Sequence, residues 1–259
     1  MHAEQRERLI LRAMEETGFV SYRQLEASLD ASPATIRRDL TRLERAGRIV
    51  RVHGGAKLPE ATPDNSGVHL LGMPFYQSIT RNIAAKRAIG QAAAALCQPG
   101  EAIMLDGGTT TLQMCPHLAG LGLSVLTNSL HVVNALLPQN DTRILLPSGT
   151  LFREQNIVLA PSGEQSMPRF HAPRLFMGAA AVGPQGVMQQ DTILVASERR
   201  FIDQAEEVVL LVDSSKFVSS SGAIVCGLDE IDVLITDAGI DGETRAMLER
   251  AGVQVIVAG

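Results

Sequence analysis

Residues 32–57 read SPATIRRDLTRLERAGRIVRVHGGAK and hold six arginines and one lysine, in a chain whose formal net charge is −5. Ser32 is suited to cap a helix opening at Pro33, where a ring without an N–H costs nothing, and Gly47 is suited to end it. Turning roughly 100° per residue from Ile36 brings Leu40 and Leu43 back to the same face. Ala34, Arg38, Thr41 and Arg45 fall on the opposite side, with Arg37 and Arg42 flanking them. Beyond Gly47, the alternation Ile49-Val50-Arg51-Val52 reads as a strand. His53-Gly54-Gly55-Ala56 then reads as a turn leading to Lys57, which makes a short hairpin.

Upstream, Glu4–Thr17 carries an apolar stripe of Leu9, Ile10, Ala13 and Met14 at helical spacing, stopped by Gly18. Ser21 is a good N-cap for YRQLEASL, with Gln24 three residues on as in a capping box. Asp30-Ala31 makes a tight turn into the helix at Pro33. Two short helices joined by such a turn are a helix-turn-helix, and the hairpin is placed as a wing. Pro33 and Ala34 are small, so the helix N-terminus can approach a phosphate closely. Arginine is the commonest reader of guanine and, like threonine, also anchors phosphates. The candidate DNA contacts are Ser32, Pro33, Ala34, Thr35, Arg37, Arg38, Thr41 and Arg45 on the helix, with His53 and Gly54 on the wing. A charged helical bundle that contacts protein is the alternative; cap, turn, arginine face and wing together favour DNA.

The 259 residues suffice for two domains, and their 45% hydrophobic content suits packed interiors. Trp is absent and aromatics are 3%, so the core is built from Leu, Ile, Val, Ala and Met. No apolar run reaches the ~18–20 residues of a membrane span, and the charged start MHAEQRERLILRAMEE is unlike a signal peptide. Cys97, Cys115 and Cys226 are few, far apart and without ligand spacing, and the six histidines are scattered. Reduced thiols in a cytoplasmic protein with no metal and no cofactor are expected. Residues 1–57 hold 11 Lys and Arg against 8 Asp and Glu, a net of +3, which leaves −8 on the remainder. A basic head on an acidic body suggests that the head meets a polyanion.

Three regions are expected: a winged helix-turn-helix at 1–57, a Pro- and Gly-rich linker at 58–75, and an α/β domain at 76–259. In the last, helix IAAKRAIGQAAAALC precedes strand AIMLD, the loop GGTTT and another helix. Then come strand SVLTN, helix SLHVVNALL, strand TRILLP, helix ASERRFIDQAEE, strands VVLLVD and IDVLITD, helix GETRAMLERAG and strand VQVIVA. Such alternation means a mostly parallel sheet with helices on both faces, and ligands bind at the carboxyl ends of its strands. Four polar strand ends mark a pocket: Asp106 to Thr111, Thr127-Asn128-Ser129, Pro147 to Thr150 with Arg153, and Asp213 to Lys216. The first is neither a P-loop nor a dinucleotide fingerprint, and by itself it reads equally as a strand-to-helix turn with a hydroxyl cap.

SPATIRRDLTRLERAGRIVRVHGGA resembles the DNA-binding signature of the DeoR family of bacterial sugar-metabolism repressors. The likeness continues through DGGTT, TNS and DSSKF, and so covers most of the chain. It implies a sensor domain with the fold of ribose-5-phosphate isomerase and CoA transferases, binding a phosphorylated sugar. The effector-binding candidates are Asp106, Gly107, Gly108, Thr109, Thr110, Thr127, Asn128, Ser129, Gly149, Arg153 and Lys216, joined by Lys86, which matches the lysine opening the sensor's first helix.

Some positions depart from the family pattern. Gly107 stands where Ser or Cys is usual and removes one hydrogen bond. LPSGTLFRE replaces L-G-G-x-x-R, keeping Gly149 and Arg153, and Glu198-Arg199 replaces a Val-Lys. IVLAPSGEQS and ASERRF are similar to the L-ascorbate-utilisation repressor branch. A bidentate Arg199 or Arg153 suits an acid sugar or a phosphate; a surface salt bridge is the other reading of either.

The function expected is a repressor of a sugar or sugar-acid operon. It binds a double-stranded operator as a homodimer or homotetramer and is modulated by a phosphorylated sugar or sugar acid, with no membrane partner. The enzyme alternative is a sugar-phosphate isomerase with an accessory head, in which Asp106, Asp213, Glu198 and Lys216 do acid–base work. A third reading is an adaptor that makes no DNA contact.

Overall fold

The computed structural model describes residues 6, 7, 9–11, 13, 14, 19–21, 24, 25, 28, 29, 31–45, 48–52, 55–57, 75–159, 168 and 170–259. The chain divides into two compact units, Met1–His69 and Leu70–Gly259.

In the first unit, α1 (Pro33–Arg45) follows helical residues at 6, 7, 9–11, 13 and 14 and at 24, 25 and 28. Strands β1 (Phe19–Ser21), β2 (Val50–Val52) and β3 (Gly55–Lys57) form an antiparallel sheet in the order β1-β3-β2. The alternation anticipated the wing, whereas β1 is an addition. Val20 pairs with Ala56, so the strand takes in Ser21, the residue expected as a cap. Three residues are too few for periodicity to reveal a strand. The angular reading of α1 holds: Ile36, Leu40 and Leu43 are buried with Ile10, Met14, Leu25 and Ile49. Asp39 is also buried, 2% exposed, and the charge beside it is matched. Arg6 Nε donates to it at 2.7 Å, and Arg42 Nη2 donates to it at 2.7 Å from one turn on. Arg42 also bonds Glu7, which ties α1 to the N-terminal helix. His53, Gly54 and residues 58–74 lie outside the described residues.

The second unit begins with a short helix α2 (Phe75–Ser78) and α3 (Ile83–Ala94). A seven-stranded sheet follows from β4 (Ala102–Leu105), β5 (Ser124–Thr127), β6 (Arg143–Leu145), β9 (Ala172–Met177), β12 (Ala205–Leu211), β14 (Val233–Asp237) and β15 (Gln254–Ala258). Their order is β15-β14-β12-β9-β4-β5-β6, and every pair is parallel. Its central strand, β9, was not anticipated. It opens on Ala172-Pro173-Arg174, and a proline with a charge after it hides the apolar run behind. Arg174 is held by Glu101 at 2.7 Å and by Glu207.

Two smaller β elements were also unforeseen. The hairpin β7 (Thr150–Phe152) and β8 (Ile157–Leu159) is antiparallel. So is the three-stranded sheet of β10 (Ala181–Gly183), β11 (Gly186–Gln189) and β13 (Ala223–Cys226).

Successive strand residues point to opposite faces, which gives the sheet two cores. Ile103, Leu105, Val209 and Leu211 pack with Ile89 and Ala93 of α3 and with Met114 and Cys115 of a 3-10 helix, Thr111–His117. Leu136 of α4 (Leu130–Leu136) joins this side. Gly90 lets α3 come close, because a Cβ there would stand 2.6 Å from the Gln113 backbone. On the other face, Met104, Leu175, Leu210 and Leu234 meet Phe201 of α5 (Thr192–Ile202) and Leu248 of α6 (Gly242–Arg250). The helix expected at ASERRFIDQAEE stops at Ile202, and Glu206 and Glu207 belong to β12. All three cysteines are free and buried, and burial pushes each thiol up to about 12. Among the described residues no helix is long and apolar enough to cross a membrane.

Candidate functional site

On α1 the polar face is laid out as the helical wheel requires. Ser32, Pro33, Ala34, Arg37 and Arg38 are exposed, and Thr35 and Thr41 are half-buried. Ser32 caps the helix by accepting from Thr35 N at 3.3 Å, and the two hydroxyls share a bond of 2.9 Å. Thr41 Oγ1 donates to Arg37 O at 2.8 Å. Arg37, Arg38, Thr41 and Arg42 border one shallow concavity. No carboxylate among the described residues pairs with Arg37 or Arg38, in contrast to Arg42, which Asp39 and Glu7 hold. Arg45 closes the helix.

In the second unit, β5, β4, β9 and β12 are parallel neighbours, so their carboxyl ends reach one edge together. A cleft of about 400 Å³ opens there. Its lining includes Asp106, Gly107, Gly108, Thr109, Thr110, Asn128 and Lys216, together with Lys86 from α3. Sequence alone had singled out all eight.

Asp106, after β4, is 6% exposed and organises the floor. Its Oδ1 accepts from Gly108 N at 2.8 Å and Thr111 Oγ1 at 2.7 Å, and its Oδ2 accepts from Gly178 N at 2.7 Å. Burial pushes its carboxyl up, and these three donors oppose the rise. With both oxygens engaged, Asp106 fixes the loop and the turn after β9. Three of the roughly four acceptor sites of the carboxylate are occupied in this way.

The cationic side comes from two other elements. Lys86 is 2% exposed and its Nζ donates to Ser78 O at 2.6 Å. Burial lowers its pKa; Asp213 opposes that fall, while nearby Lys216 and Arg81 add to it. Asp213 follows β12 and caps a single 3-10 turn, Ser214–Lys216. Its Oδ1 accepts from Asn82 Nδ2 at 2.9 Å and from Ser215 N at 3.1 Å. The Asn82 bond therefore joins the start of α3 to the Lys216 turn. Thr109, Thr110, Ser215, Ser219 and Ser220 line the same opening.

Five sequence candidates do not line the cleft. Thr127 and Ser129 are fully buried. Thr127 Oγ1 accepts from Ser129 N at 3.1 Å, and Ser129 Oγ caps α4 by accepting from Val132 N at 3.4 Å. Gly149 and Arg153 are exposed at the two ends of β7, and the hairpin sends Gln155 and Ile157 into the lining instead. Arg199 takes the salt-bridge reading, with Glu230 at 2.6 Å and Asp203 at 3.0 Å.

Residues not anticipated as ligands include Arg81, Asn82, Gly178, Gln189, Ser197 and Glu198. Glu198 carried a signal: with Leu194 and Phe201 it follows the i, i+4, i+7 apolar stripe of α5, where a carboxylate is out of place. Among the described residues no His, Cys, Asp and Glu cluster could hold a metal.

A model of the DeoR-like helix-turn-helix domain matches residues 6–62, and one of the DeoR C-terminal sensor domain matches residues 81–238. An Escherichia coli O157:H7 protein assigned as an aga operon transcriptional repressor is 33% identical over 99% of this chain and 94% of that protein. The HTH-type transcriptional regulator UlaR of Shigella dysenteriae serotype 1 is 29% identical over 97% of this chain and 98% of its own. Ribose 5-phosphate isomerase A of Methanocaldococcus jannaschii is 17% identical, with 52% of this chain covered, 55% of that one and a TM-score of 0.39. The beta subunit of eIF2B from Chaetomium thermophilum is 14% identical over 59% and 48% of the two chains, also with a TM-score of 0.39. With a DeoR-type helix-turn-helix, a DeoR sensor domain and a full-length regulator at this level of identity, the chain belongs to the DeoR family.

Proposed function

We propose that this protein is a transcriptional repressor of a sugar or sugar-acid utilisation operon. It grips operator DNA through α1 and is modulated by a phosphorylated sugar or sugar acid in the cleft of the second unit. The observation that carries the effector half is the grouping of Lys86, Arg81 and Lys216 on one side of the cleft. The three are close enough to raise the cost of charging Lys86, and Asp213 is the carboxylate that opposes them. Like charges gathered around hydroxyls at the carboxyl ends of parallel strands suit an anion better than a structural role. The DNA half is supported by Arg37 and Arg38, which project from the outer face of a capped helix, and by the family's helix-turn-helix.

Effector and operator compete or cooperate through a coupling free energy that is commonly ~1–3 kcal/mol. Helix-turn-helix proteins read paired half-sites as dimers, so a homodimer or homotetramer in the cytoplasm is part of the proposal. The test is a thermal-shift panel of pentose, hexose and sugar-acid phosphates on the wild type and on Lys216→Ala. A cognate ligand raises Tm in the wild type and not in the variant, and changes the retention of operator DNA. An unchanged shift in Lys216→Ala rejects the assigned cleft.

A further inference from the structure

One wall of the cleft holds two buried acceptors with no donor. Glu198, on α5, is 8% exposed, and Asn128, after β5, is 5% exposed. Glu198 Oε1 accepts from Gln189 Nε2 at 2.6 Å, and Asn128 Nδ2 donates to Ser197 Oγ at 3.3 Å. Each side chain is thus oriented by one of its polar atoms, and the other atom, Glu198 Oε2 or Asn128 Oδ1, has no hydrogen-bond partner. Both residues line the cleft. No arginine or lysine among the described residues forms a salt bridge with Glu198, and Asp106 is the charge whose influence it feels. Buried acceptors are ordinarily paired, because an unpaired one forfeits its hydration with nothing in return. A ligand that brings donors to this wall recovers that loss. One that brings only an anionic group does not.

We propose that Glu198 is a specificity-determining residue of the cleft: in its carboxylate form Glu198 Oε2, together with Asn128 Oδ1, accepts hydrogen bonds from hydroxyl or amino groups of a sugar whose phosphate lies on the Lys86 and Lys216 side. The proposal rests on the anion-sensing reading of the same cleft and adds which end of the ligand is read, and by what. Selection of this kind is strong in the direction seen here. A site built to receive donors rejects an analogue lacking them, since its own buried atoms are then left unpaired. Glu198→Gln probes it with little change of shape. An amide has one oxygen; if that oxygen keeps the bond from Gln189, the NH2 group faces the ligand, and a donor stands where an acceptor stood.

The experiment measures the affinity of the full-length protein for ribose 5-phosphate, glucose 6-phosphate and glucosamine 6-phosphate, with ethyl phosphate as a donor-free reference, by calorimetry. Wild type, Glu198→Gln and Lys216→Ala are compared, and the unliganded melting curve of each confirms folding. The expected result is that Glu198→Gln weakens the best sugar phosphate by about 10-fold or more, the scale of one hydrogen bond to a charged group. Its affinity for ethyl phosphate stays within about twofold, and Lys216→Ala weakens every probe together. If Glu198→Gln weakens all probes equally, or none, the specificity role of Glu198 is overturned while the anion site stands. If no phosphate binds the wild type, the anion-sensing reading and the inference resting on it both fall.

Discussion

Ile157 stands where a side chain on Gly107 would have to go: a Cβ at position 107 would meet Ile157 Cγ2 at 2.7 Å. The contact links the β7–β8 hairpin to the loop after β4. The hairpin is pinned from its other side as well, since Val158 N donates to Asn128 O at 2.7 Å. Gly107 thus has a packing counterpart fifty residues away.

Gly107→Ser is therefore expected to destabilise the second unit by about 1–3 kcal/mol, the usual cost of overpacking. Ile157→Ala on that background relieves the clash, so the double variant loses less than the sum of the two single changes. Urea unfolding of the four proteins checks it. Additive losses would mean that the two positions do not share one space.

Arg37→Ala and Arg38→Ala are each expected to weaken DNA binding in the full-length chain. A side chain that contacts phosphate lowers the slope of log K against log salt by about 1, while one that reads a base relaxes the sequence preference. Titrations at several salt concentrations, on duplexes selected by the wild type from a random pool, separate these roles. Arg42, held by Asp39 and Glu7, should affect melting of the N-terminal unit more than DNA affinity. Full retention of binding by both alanine variants would overturn the assignment of Arg37 and Arg38 as DNA contacts, and a wild type that retains no duplex at low salt would favour the adaptor reading.

Lys86→Met should separate stability from sensing. The buried ammonium is desolvated and lies near Arg81 and Lys216, so its removal relieves desolvation and repulsion, at the cost of the attraction of Asp213 and one bond to Ser78 O. The unliganded Tm is expected to change little, while the rise brought by a cognate anion is lost. A large fall in Tm with an intact anion response would make Lys86 structural only.

Glu198 also predicts a pH dependence. Burial, reinforced by Asp106 and only partly offset by Gln189, holds its carboxyl well above the usual glutamate range. Between the ordinary glutamate value of about 4.3 and that raised value, the folded state keeps a proton that the unfolded chain has released. The contribution is fully present below that window, and stability falls as pH rises through it. Glu198→Gln lacks the dependence, so its Tm should gain on the wild type's from about pH 4 towards neutrality. Parallel curves would show that Glu198 does not titrate in this way.

Much of this was legible in the chain because the deciding patterns are local. The cap at Ser32, the wheel from Ile36 to Leu43 and the strand ends at Asp106, Asn128 and Lys216 each fit within one turn or one loop. What stayed hidden depends on distant partners. β9 looks unpromising alone, since Pro173 and Arg174 open it, and the charge is acceptable only because Glu101 and Glu207 come from elsewhere. Thr127 and Ser129 have the chemistry of ligands, but folding turns their hydroxyls inward to the backbone of the next helix. Glu198 was visible as a charge on an apolar stripe, yet only the approach of α5 to the β5 loop shows what that charge faces.

The position of β9 also constrains synthesis. A ribosome makes β4, β5 and β6 well before residues 172–177, and β4 carries the face against which β9 will pair. Until that segment emerges, the nascent half-sheet keeps an apolar strand with an open side, the geometry that invites pairing between chains. A message truncated anywhere between codons 146 and 171 would release such a fragment, one suited to self-association and to capture by chaperones.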